Sequence, residues 1–143
     1  MSRSADLTDA VIECLGEITQ ANGYHTEIRD IYGIGQVKPD KAPMPCLVLH
    51  VADDEGVERV GVTVRRSITY IIEAVFGRGA TLQDMQRCHH DILKALGYGE
   101  VPQRRPLSQG WVGEESAEFD MAQDGGSHRS VIAAVSIQYI EKY

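Results

Sequence analysis

Between Glu58 and Gly77 the even positions Val60, Val62, Val64, Ile68, Tyr70, Ile72, Ala74 and Phe76 are apolar, and only Arg66 interrupts them. A period of two sends successive side chains to opposite sides of a pleated backbone, so this stretch belongs in a sheet with one face turned to a core. It is longer than the usual strand of about five or six residues, and reads as two strands meeting near Arg65-Arg66-Ser67 or as one bent strand. A second alternation, Val131, Ala133, Val135, Ile137 and Tyr139, predicts a last strand near the C-terminus. The run from Pro45 to Val51 (Cys46, Leu47, Val48, Leu49, Val51) is almost continuously apolar, as expected of a strand buried on both faces in the middle of the fold.

Two other segments keep a helical period. Leu7, Val11, Leu15 and Ile18 recur at three- and four-residue steps, predicting an amphipathic helix over Leu7 to Asn22 with Asp6 at its start and Gly23 at its end. Its other face carries Asp9, Glu13, Glu17 and Gln20. Thr81 with Asp84 forms a capping-box start for a second helix, whose stripe of Leu82, Met85, His89, Ile92, Leu93 and Leu96 ends at Gly97.

The remaining segments carry weaker signals. Thr26, Ile28 and Ile31 suggest a short strand between Tyr24 and Tyr32, and Gly33 to Pro43 reads as a long exposed loop. Asp53-Asp54-Glu55-Gly56 reads as an acidic turn. From Tyr98 to Ser130 glycine, proline and charge dominate, with short strands expected at Leu107 to Val112 and Ala117 to Met121 and a hairpin signal at Asp124-Gly125-Gly126. The layout is α, β, β, β(β), α, β, β, β. It predicts an α+β fold, two amphipathic helices packed on a mostly antiparallel sheet, in a single domain spanning residues 1–143.

Charge narrows the function. Subtracting 21 acidic from 14 basic residues gives −7, which opposes gripping nucleic acid through phosphate neutralisation but not letting nucleic acid slide past. The three cysteines, Cys14, Cys46 and Cys88, lack CxxC spacing and lie in segments expected to be buried, so reduced core thiols in a cytosolic compartment are expected. Met1 to Asp6 lacks the apolar region of a signal peptide. No apolar run approaches the ~18–20 residues that span a bilayer.

No motif assembles a catalytic centre. Cys88-His89-His90-Asp91, with Cys46 and His50 elsewhere, is the one cluster of metal-ligand types. Adjacent helical residues point about 100° apart, and the i, i+4 histidine pair of a helical zinc site is missing, so a packed His89 beside an exposed His90 is expected. There is no GxSxG turn for a nucleophile. Asp53-Asp54-Glu55 and Glu114-Glu115 could pair carboxylates for glycoside chemistry but read as solvated loops. Gly33-Ile-Gly-Gln-Val-Lys38 lacks the GK[ST] ending of a phosphate loop. Trp111 reads as the anchor of a local minicore or as an interface hot spot, and Arg65-Arg66 and Arg104-Arg105 as surface pairs. No cofactor and no metal are expected.

Several phrases and their order then become informative together. A helix ends in Ala21-Asn22-Gly23-Tyr24-His25-Thr26; a proline-bearing loop leads into Ala42-Pro43-Met44-Pro45-Cys46-Leu47-Val48-Leu49. A long alternating pair ends in Tyr70-Ile-Ile-Glu-Ala-Val75, a helix contains Asp91-Ile92-Leu93-Lys94-Ala95-Leu96, and a strand closes at Tyr139. This layout, across nearly the whole chain, resembles the tail terminator (minor tail protein U-like) and tail-completion proteins of long-tailed bacteriophages. The resemblance implies a non-enzymatic virion protein at the neck-proximal end of the tail, assembled in the host cytoplasm. Its subunits would form a homohexameric ring that caps the tail tube, ends tube polymerisation and joins the tail to the head connector or stopper protein. DNA would pass through the lumen without specific binding. On that reading Asp53, Asp54, Glu55, Glu114 and Glu115 are expected to line the lumen. Lys38, Asp40 and Lys41 of the first loop, with Arg104, Arg105 and Trp111 of the second, are expected at the subunit or tail-tube interface. The alternatives are another neck or head–tail connector subunit, a small metal-dependent hydrolase using His50, Cys88, His89 or the acidic segments, and a ligand-binding or adaptor module.

Overall fold

In the computed structural model, which describes residues 3–33, 36, 38–39, 41–97, 112–121 and 129–143, the long alternation forms one strand of a hairpin. Strand β2 covers Cys46–Val60 and β3 covers Thr63–Phe76, paired antiparallel across a turn at Gly61 and Val62. Gly61 has φ +60°, the left-handed region in which glycine carries no Cβ penalty. The even positions of β3 from Ile68 to Phe76 are all buried, as the period of two demands. Of the two readings of this stretch, neither is quite right: the reversal comes before Arg65, and Thr63 to Phe76 is a single strand.

Strand β5, Arg129–Lys142, pairs with β3 along its whole length, from Thr63 opposite Lys142 to Phe76 opposite Arg129. Strand β4, Val112–Asp120, lies antiparallel outside β5. At the other side β1, Asp30–Tyr32, runs parallel to β2 but touches only Cys46 to Val48. The five-stranded sheet has the order β1-β2-β3-β5-β4. With helices α1, Arg3–Gly16, and α2, Leu82–Ala95, it makes an α+β protein with a mostly antiparallel sheet. The Pro45–Val51 run lies inside the sheet as expected, its residues Cys46 to Val48 flanked by β1 and β3, and β3 in turn is flanked by β2 and β5.

The core is built by the two periodicities together. Leu7, Val11 and Leu15 of α1 and Met85, Cys88 and Ile92 of α2 share one buried cluster with Leu47, Leu49, Ile68, Tyr70, Ile72, Val131, Val135 and Tyr139 of the sheet. A smaller cluster, Ala42, Cys46, Val48 and Val75, sits on the reverse face of the sheet, so Cys46 to Leu49 is buried on both faces as its apolar run predicts. Helix α2 begins at the expected capping box: the Thr81 hydroxyl accepts from the Asp84 backbone N–H, and the Asp84 carboxylate accepts from that of Thr81. Gly97, just past its end, has φ +79°.

Four expectations need correction. Helix α1 stops at Gly16, and the expected tail of that helix is a separate 3-10 turn, Gln20–Asn22, capped by Thr19 and closed by Gly23 at φ +89°. The strand expected within Tyr24 to Tyr32 shrinks to its last three residues. Asp53-Asp54-Glu55-Gly56 is no turn; β2 continues through it, with register shifts at Ala52 and Val57 that absorb an extra residue each. Acidic composition misled here, because ladder pairing to β3 and side-chain partners outweigh the low strand propensity of aspartate. The strand expected at Ala117 to Met121 is present but begins earlier, as Val112–Asp120, so Glu114 and Glu115 also lie in a strand and not a loop. Residues 107–111 of the first expected strand, and the turn expected at Asp124-Gly125-Gly126, fall outside the described residues.

Candidate functional site

Paired residues in a ladder point to the same face, so the register sorts the acidic side chains. On the face bearing the core, Asp54 lies opposite Ile68 and Glu114 opposite Val135. On the reverse face, Asp53 lies opposite Thr69, Glu55 opposite Ser67, Glu58 opposite Arg65 and Val48 opposite Glu73. There too Glu118 lies opposite Ile132 and Asp120 opposite Ser130. Glu115 sits at the register shift of β4, and its carboxylate accepts from the Ser136 hydroxyl at 2.7 Å, which places it on the reverse face as well. The Ser136 oxygen in turn lies 3.0 Å from that of Thr69; with its own proton committed to Glu115, Ser136 accepts from Thr69.

The reverse face is therefore a hydroxyl- and amide-bearing centre (Ser67, Thr69, Ser136, Gln138) between two acidic margins, β2 and β4. No described helix lies on it. Its bases, Arg65 and Lys142, sit together at the hairpin end, where Arg65 pairs with Glu58 at 3.1 Å. Of the five acids expected to line a lumen, Asp53, Glu55 and Glu115 share this face.

Asp54 and Glu114, which the register places on the other side, find partners there. Arg66, the one break in the alternation, donates through Nε to Asp54 Oδ1 at 2.9 Å and through Nη2 to the Asp54 carbonyl at 3.0 Å; the Tyr139 hydroxyl donates to Asp54 Oδ2 at 2.5 Å. Burial, then the hydrogen bond and charge of Asp54, push the Tyr139 phenol up to about 12. The same carboxylate raises the Arg66 guanidinium above its ordinary value. This trio borders a groove of about 520 Å³ shared with Ser4, Glu141 and Lys142. The Glu141 carboxylate accepts from the Arg3 backbone N–H at 3.0 Å, tying the start of α1 to the end of β5. Glu114 meets His89 of α2 at 2.5 Å, and the edge of Phe119 closes on the His89 ring, with centroids 5.8 Å apart.

The metal-type residues disperse. His89 is half-buried against Glu114 and His90 exposed, as read from the helical geometry. Cys88 and Asp91 turn inward: burial pushes the Cys88 thiol up to about 12, and Asp91 accepts the buried Thr26 backbone N–H at 2.8 Å. Burial also raises the Cys46 thiol, which lies on the reverse face of β2 with His50. Among the described residues no three His, Cys, Asp or Glu side chains are placed to hold a metal ion. No described helix is long and apolar enough to cross a membrane.

In the first loop Lys38 is half-buried, its ammonium 3.4 Å from the Pro39 carbonyl, and Lys41 is exposed. Asp40, Arg104, Arg105 and Trp111 lie outside the described residues. A surface not anticipated from the sequence is the hairpin end, where Val57, Val60, Val62, Ile140 and Tyr143 are exposed together, Val60 at 71% and Tyr143 at 72%. The Tyr143 backbone N–H donates to the Val62 carbonyl at 2.8 Å, fastening the chain end to the turn. Alternation had placed the valines on a core face; the signal that could have corrected this was their position beyond Arg66, where no helix period remains to cover them. No family model matches the chain, and no curated protein matches it.

Proposed function

We propose that this chain is a structural virion protein, a tail terminator whose subunits form a ring, about six to the circle, that caps the phage tail tube, ends its polymerisation and joins the tail to the head connector. The observation that carries the reading is the acidic reverse face of the sheet. A ring of such faces repels the phosphate backbone at every azimuth, so duplex DNA slides through instead of adhering. Asp53, Glu55, Glu58, Glu73, Glu115, Glu118 and Asp120 supply the field, and the hydroxyl-rich centre between them supplies neutral, hydrated contact. The core-bearing face, in this reading two amphipathic helices packed on the sheet, forms the outer wall. The resemblance in element order to terminator and tail-completion proteins supports the same conclusion.

The test is imaging together with a binding assay. Negative-stain images of the purified chain are expected to show annular particles with an open centre, and duplex DNA is expected to run unshifted in gels containing the protein at physiological salt. Particles without a lumen, or retention of DNA by the protein, would overturn the proposal.

A further inference from the structure

A ring requires two different patches on each subunit that fit one another head to tail. We infer that these are the hairpin end of one copy and strand β4 of the next, an inference that rests on the ring reading above. The two patches are unlike and complementary. The hairpin end carries the exposed apolar side chains Val57, Val60, Val62, Ile140 and Tyr143, and a cluster of exposed apolar side chains rimmed by polar residues marks a contact site. Around them stand the bases Arg59, Arg65 and Lys142, with two acids, Glu58 ion-paired to Arg65 and the buried Glu141. Among the described residues strand β4 ends the sheet; it carries four acids and no base over Val112–Asp120, with Glu118 and Asp120 on the reverse face and Phe119, 38% exposed, on the other. An apolar patch with a basic rim thus meets an acidic strand with an exposed aromatic ring.

Two competing self-contacts are disfavoured by the same charges. Beyond Val48 the outer edge of β2 is free of β1, so one could imagine it pairing with β4 of a neighbour to continue the sheet. That would set Asp53, Asp54, Glu55 and Glu58 against Glu114, Glu115, Glu118 and Asp120, and like charges on facing strands repel. A two-fold contact between hairpin ends would bury the valines but oppose Arg59, Arg65 and Lys142 to themselves. Docking of the hairpin end on β4 avoids both; it engages Glu118 and Asp120 at the β4 margin and leaves the β2 margin, with Asp53 and Glu55, facing the lumen.

Sedimentation of the full 143-residue chain and of two exposed double variants tests this. Arg59→Glu with Lys142→Glu, and Glu118→Lys with Asp120→Lys, are each expected to weaken self-association at least tenfold, and mixing the two is expected to restore it. As a check independent of charge, chains carrying Val60→Cys mixed with chains carrying Phe119→Cys should cross-link to one another with a short bismaleimide, the native cysteines being buried. If the wild type assembles while both variants assemble equally well and the cysteines do not cross-link, the docking is wrong and the ring closes through another contact. If the wild type does not associate at any concentration or salt, the ring reading and the docking fall together.

Discussion

Asp54 and Glu55 are neighbours of like charge, yet the pleat gives them opposite tasks. Asp54 satisfies Arg66 and Tyr139 at the border of the core, whereas Glu55 stands exposed on the reverse face. Replacing Asp54 by Ala strands the half-buried Arg66 and the buried Tyr139 hydroxyl, so a loss of about 1–3 kcal/mol is expected in urea denaturation. Glu55→Ala should stay within about 0.5 kcal/mol. Equal effects would contradict the sorting of the acids by face. Tyr139 adds a pH signature. Its folded value of about 12 lies above the ordinary 10.0, so the folded state holds the phenolic proton more tightly. That contribution is complete below the ordinary value and is lost as pH rises through the folded one; Tyr139→Phe should flatten the alkaline limb of the stability curve over that window. Burial of all three thiols likewise predicts that a thiol reagent titrates none of Cys14, Cys46 and Cys88 until the protein is denatured.

At the scale of elements, what periodicity and capping could specify is what the sequence made legible. Thr81 and Asp84 announced α2 and form both reciprocal bonds; Thr81→Ala should therefore cost about 1 kcal/mol in thermal or urea unfolding. A neutral result would mean the box is incidental to a helix held by packing. The strands β3 and β5 were legible because every second residue is buried on one face, and the both-faces burial of Cys46 to Leu49 because its apolar run is unbroken. The acidic part of β2 and the first half of β4 were not. Their side chains resemble loop residues, and what makes them strands is pairing with residues distant in sequence, such as Asp54 with Ile68 and Glu114 with Val135. Asp91 illustrates the same limit within a helix: its partner, the Thr26 N–H, lies on a segment 65 residues away, and no local spacing reveals that contact.

Across the whole molecule the charge is divided by geometry more than by number. On the core-bearing face Asp54 and Glu114 are held in contacts with Arg66, Tyr139 and His89, while the reverse face keeps most of its acids exposed along both margins. The hairpin end combines exposed apolar side chains with the bases Arg59, Arg65 and Lys142. The site could not be read from the sequence at this scale, because Asp53, Asp54 and Glu55 are one acidic run in the chain and two surfaces in the fold, and because the valines of the hairpin end share the alternation of the buried positions. A molecule with an open acidic face and two unlike, complementary ends is suited to closing a ring around a polyanion, and its solution mass tests that most directly. Light scattering across protein and salt concentrations is predicted to show a discrete species of about six chains that does not grow further once closed. A mass that remains that of the 15.8 kDa single chain at every concentration and salt, or that increases without limit, would contradict the account.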